Sequence, residues 1–132
     1  MKTTAVPLYR TIDRRNSCVV EAKFHRDGLL IVVEVFPSPG SPSKTLEISF
    51  PHDRGFVLLD EGDMPSWLIS ECFRSEHILY SITSGGWFSN LNSNDSLLQI
   101  ASASCREWLV VTANECVSIF SSAEPTVAEV QP

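Results

Sequence analysis

The chain has 132 residues, of which 43% are hydrophobic and 20% charged, and its formal net charge is −6. That length suits one domain that buries a core without disulfides or metals, and that composition excludes wholesale disorder. An acidic body repels phosphates, so nucleic acid and anionic membranes are not expected partners, and no apolar run approaches the ~20 residues of a membrane helix.

The charge is uneven. Residues 1–26 carry six basic side chains against two acidic ones, a net +4, whereas residues 27–132 carry four against fourteen, a net −10. Met1 to Arg10 contains no apolar stretch of signal-peptide length, so a cytoplasmic chain is expected. The first 16 residues show no clean period and read as an irregular lead-in or a short edge strand. From Ser17 the pattern changes. Cys18, Val20, Ala22 and Phe24 alternate with Val19, Glu21, Lys23 and His25, the period of a half-buried strand. Arg26-Asp27-Gly28 is a hairpin turn, because Asp and Gly tolerate positive φ. Leu29 to Phe36 is β-branched and nearly all apolar, which predicts a more buried central strand.

Residues 37–43 hold three prolines and are expected as a hairpin tip. Thr45 to Phe50 alternates, with Leu46, Ile48 and Phe50 on one side. Residues 51–55 have turn composition, and Phe56 to Leu59 is a further strand. Pro65 suits the first position of a short helix over residues 65–73, since its missing N–H costs nothing there. His77 to Thr83 is a strand, followed by a turn at Ser84-Gly85-Gly86-Trp87. Residues 96–103 fit a helix or a strand equally. Arg106 to Thr112 and Glu115 to Phe120 are strands joined by a tight connection, with Trp108 in the core. Residues 121–132 are expected as a loosely ordered tail after one globular domain over 1–120. The fold class is therefore α+β, mainly β: a largely antiparallel curled sheet or small sandwich with one or two short helices.

No stretch carries a chemical signature. The four cysteines form no C-x-x-C pair and read as small buried hydrophobes rather than zinc ligands or a redox pair. There is no G-x-S-x-G elbow, phosphate-binding glycine loop or calcium-loop pattern. No enzyme activity and no cofactor are expected. What stands out is Asp60-Glu61-Gly62-Asp63, three carboxylates in four positions, followed by Trp67. Carboxylates at a helix start satisfy the macrodipole without any ligand; contact with a basic partner is the second reading and a divalent metal the third. Trp67 beside the acids and Trp87 after a Gly-Gly turn are candidate interface anchors, with core packing as the plainer alternative.

The segments Asp60 to Trp67, Ser84 to Trp87 and Arg106 to Val117 together resemble small acidic bacterial immunity proteins of polymorphic toxin systems, of the Rhs, contact-dependent or type VI effector kind. That resemblance covers roughly residues 55–120. It implies a cytoplasmic antidote that binds a cognate protein toxin, typically basic, and needs no catalysis of its own. Partner contacts would then fall on Asp60, Glu61, Asp63, Trp67 and Trp87. The alternative is a small-ligand or divalent-metal-binding domain, including a homodimer built on sheet edges.

Overall fold

Alternation decides most of this architecture. The computed structural model describes residues 3–9, 14–36, 40, 42–60, 68, 71–73, 76–87 and 105–130. Among the described residues nine strands run in chain order: β1 (Thr4–Leu8), β2 (Ser17–His25), β3 (Gly28–Val35), β4 (Lys44–Pro51), β5 (Asp53–Asp60), β6 (Leu79–Ser84), β7 (Arg106–Val111), β8 (Glu115–Ser121) and β9 (Thr126–Val130). They make a five-stranded sheet in the order β1-β6-β7-β8-β5 and a four-stranded sheet in the order β2-β3-β4-β9. Every ladder is antiparallel. The mainly-β, antiparallel part of the expectation is met. Beyond the strands, the described residues show 3-10 turns at Arg14–Asn16 and Glu71–Phe73, a 3-10 residue at Leu68 and helical residues at Gly86 and Trp87, so the α+β label fits loosely. Of the helix expected over 65–73 only Leu68 and Glu71–Phe73 are described, and these are 3-10; residues 96–103, where a helix is one option, lie outside the described residues.

The two sheets face each other across one core. In β3 and β4 every second residue is buried: Leu29, Ile31, Val33 and Val35, then Leu46, Ile48 and Phe50. Their counterparts on the five-stranded sheet include Leu79, Trp108, Val110, Val117 and Ile119. The opposite face of the five-stranded sheet carries a second core of Tyr80, Ile82, Leu109, Val111 and Cys116, capped by Phe73 from the 3-10 turn. The interior strands β7 and β8 are therefore buried on both faces almost without a break. β3 is central in its sheet as expected, but only one of its faces is deeply buried.

Two strands pass between the sheets at a shared corner. β4 leads through His52 into β5, and β8 leads through residues 122–125 into β9. β5 pairs with β8 while β4 pairs with β9, so one two-stranded ribbon bends and serves both sheets. His52 takes a positive φ of 60° at the bend. Ser121 Oγ donates to the Pro51 carbonyl at 2.8 Å and ties the two chains of the ribbon together. Gly28 lies against the same corner at φ 139°, where an added Cβ would overlap the Phe50 carbonyl oxygen. The expected tail is corrected here. Thr126–Val130 is a paired strand of the four-stranded sheet, so the fold runs on past residue 120.

Candidate functional site

β5 places the first of the expected contact residues. Its alternation sends Phe56, Leu58 and Asp60 to the same face as their partners Ile119, Val117 and Glu115 on β8. Ile119 and Val117 are fully buried in the inter-sheet core. Phe56 and Leu58 remain 37% and 47% exposed. β5 is the edge of its sheet, and among the described residues no strand pairs with its free side. Asp60, exposed, closes this row of side chains. Glu61, Asp63 and Trp67 follow directly in sequence and lie outside the described residues.

The end of β5 is electronegative for a structural reason. Asp60 sits opposite Glu115, a like-charge pair that favours separation. Glu115 is drawn toward the other sheet: its Oε1 accepts the Val19 N–H at 2.7 Å and the Thr112 hydroxyl at 3.0 Å. This carboxylate clasps β2 at its bulge between Val19 and Glu21. The Ala113 N–H adds a bond to the Ser17 carbonyl at 3.1 Å beside it. Burial, then the charges of Glu115 and Glu34, push the Cys18 thiol above its ordinary range.

Trp87 belongs elsewhere. The chain bends after Ser84 at Gly85 and Gly86, at φ 75° and 71°, and Gly86 and Trp87 are helical rather than part of a simple turn. Gly86 N–H donates to Thr3 Oγ1 at 3.0 Å and Trp87 N–H to Glu107 Oε2 at 3.1 Å. A Cβ on Gly86 would stand 2.7 Å from Glu107 Oε1, so the turn closes over a carboxylate that is only 4% exposed. Glu107 lies on the second-core face of β7, opposite Ile82 and Phe120. Asp60 lies on the other face and about five residues further along the ladder, roughly 16 Å at 3.3 Å per residue. The structure thus separates Asp60 from Trp87. Trp87 is half-buried, and its buried Nε1 has no partner among the described residues.

His52 is exposed at the corner, and His77 packs edge-on to Tyr80 with centroids 6.3 Å apart. All four cysteines are free thiols. Cys116 is buried, and burial pushes its thiol up to about 11, away from thiolate chemistry. Among the described residues no three His, Cys, Asp or Glu side chains converge as a metal site does.

A concavity of about 430 Å³ opens on the outer face of the four-stranded sheet beside the corner. His25, Asp27, Leu30, Glu47, Ser49 and Thr126 line it. They come from four strands and a turn, which no local pattern joins. The strand Phe56 to Leu59 was legible as an apolar run, but the exposure of Phe56 and Leu58 depends on β5 being an edge.

The chain matches no protein-family model, no curated protein and no solved structure.

Proposed function

We propose that this chain is a non-catalytic protein-binding module, an immunity-type protein that acts in the cytoplasm by binding a basic toxin domain. One observation carries the reading: β5 is an edge strand whose Phe56, Leu58 and Asp60 share one partly exposed face. Apolar anchors ending in carboxylates suit a basic partner, which would dock on the anchors and be steered by the charge. The free side of β5 also offers backbone groups for an added strand. Glu61, Asp63 and Trp67, which follow Asp60 in sequence, complete the proposed contact, while Trp87 is set apart from Asp60.

The test is affinity purification of the tagged chain from its host lysate at low salt and at about 0.5 M salt, where charge attraction is screened within a few ångströms. A stoichiometric basic protein that weakens with salt, and is lost on Leu58→Glu, supports the reading. Recovery of that protein with Leu58→Glu at wild-type yield removes β5 from the interface.

A second reading, a small-ligand-binding domain, rests on the 430 Å³ concavity. Divalent metals and small polar ligands that bind the native chain there would raise its melting temperature; a flat response across them ends that reading.

A further inference from the structure

We infer that the chain self-associates as a two-fold symmetric homodimer in which the free edge of β2 pairs with the same edge of a second copy, centred on Ala22. This dimer leaves β5 open and does not rest on the toxin-binding reading.

β2 is the edge of the four-stranded sheet. Ala22, Lys23, Phe24 and His25 are all exposed, as is the following turn. Phe24 is 71% exposed and Val20 52%, the two highest values among the exposed large hydrophobics. Edge strands that stay unpaired are ordinarily guarded by charge, bulges or brevity. Lys23 and the bulge at Val20 are such guards in form. Lys23, however, is already held by Glu21 at 2.9 Å, and nothing among the described residues covers Phe24.

The sequence around Ala22 is self-complementary. A two-fold axis through Ala22 sets each residue against the one equally far on its other side. Glu21 then faces the partner's Lys23, and Val20, displaced from the ladder by its bulge, comes beside the partner's Phe24. The neighbouring registers fail: an axis through Glu21 or Lys23 sets that charge against its own copy. The backbone agrees with this centre. The two-residue loop Arg26-Asp27 closes on the pair His25–Gly28. Alternation from that bonded pair leaves the N–H and C=O of Ala22 and Phe24 on the free side of β2. A strand pairing of this length falls below the ~1,200 Å² of standard interfaces, so the dimer forms with rising concentration.

Sedimentation velocity of the full chain from about 5 to about 500 μM reads this directly. The weight-average mass is expected to rise from one chain to two. Phe24→Ser and Glu21→Lys should each move the midpoint up by roughly tenfold. Glu21→Lys combined with Lys23→Glu exchanges the charges and should bring the midpoint back to within about threefold of the parent. All three positions are solvent-facing, and an unchanged circular dichroism spectrum shows that each variant folds. A parent chain that stays at one-chain mass throughout overturns the dimer. Association that ignores both single variants puts the contact on another surface, and a double variant as weak as Glu21→Lys alone overturns the Ala22 register.

Discussion

The two sheets solve the same burial problem differently. The five-stranded sheet lies between two cores, so Leu109 and Val110, neighbours on β7, are both 0% exposed although they point to opposite faces. The four-stranded sheet has one core, so Ile31 and Val33 are at 0% while Val32 between them is only half-buried. The first sheet is covered on both faces at β7 and β8, and among the described residues its exposed large hydrophobics in strands lie on its two edges, Phe56 and Leu58 on β5 and Val6 on β1. The second has an outer face and an edge. Recognition is thereby pushed to the edges and to the outer face of the four-stranded sheet.

Equivalent substitutions on the two sheets test that contrast. Leu109→Asp buries a charge under the Phe73 cap and should leave the chain unfolded, a loss above about 4 kcal/mol. The same change at Val32 should leave a cooperative melt with a loss of roughly 1 kcal/mol. If both melt alike, the four-stranded sheet has a second covered face. Trp108→Ala, in the inter-sheet core with its indole N–H on the Ser121 carbonyl at 3.4 Å, should cost about 3–5 kcal/mol in urea titration. Glu115→Ala orphans the Val19 N–H and loosens the clasp between the sheets, at about 1–3 kcal/mol. Faster amide exchange at Val19 with little change at Leu109 would localise that effect to the clasp.

The smallest effect is pH-dependent. The Cys116 thiol is raised from 9.0 to about 11 in the folded chain. Its neutral form is the one the core accepts, so the contribution is complete below pH 9 and fades as pH climbs toward 11. A Cys116→Val variant should lose of order 1–2 kcal/mol less over that window than the parent, once the shared titrations are subtracted. Parallel curves would mean that the thiolate reaches water in the native state.

Among the strands legible in the sequence, Thr45 to Phe50 shows itself by alternation, and Leu29 to Phe36 and Arg106 to Thr112 by their apolar runs. β9 was not legible. Thr126-Val127-Ala128-Glu129-Val130 has too little apolar contrast to declare a strand, and it exists because β4 offers an edge at the right place. The Glu115 clasp was equally hidden, because its donor on Val19 lies 96 residues away and carboxylates carry no mark of their future partner. The candidate contact residues split for a topological reason. β5 and β6 are consecutive in the chain but are separated in the sheet by β7 and β8. Adjacency in sequence between Asp60 and Trp87 therefore means little in space.

The bent ribbon governs how the molecule is built in time. Thr45 pairs with Val130, so the four-stranded sheet is completed by a partner 85 positions downstream. Ladders this distant must close a long loop before any contact rewards it, which places folding in the millisecond-to-second range rather than the microseconds of helical bundles. Until that closure β4 waits with an open edge, and a cell making much of this chain would need chaperone cover for those moments.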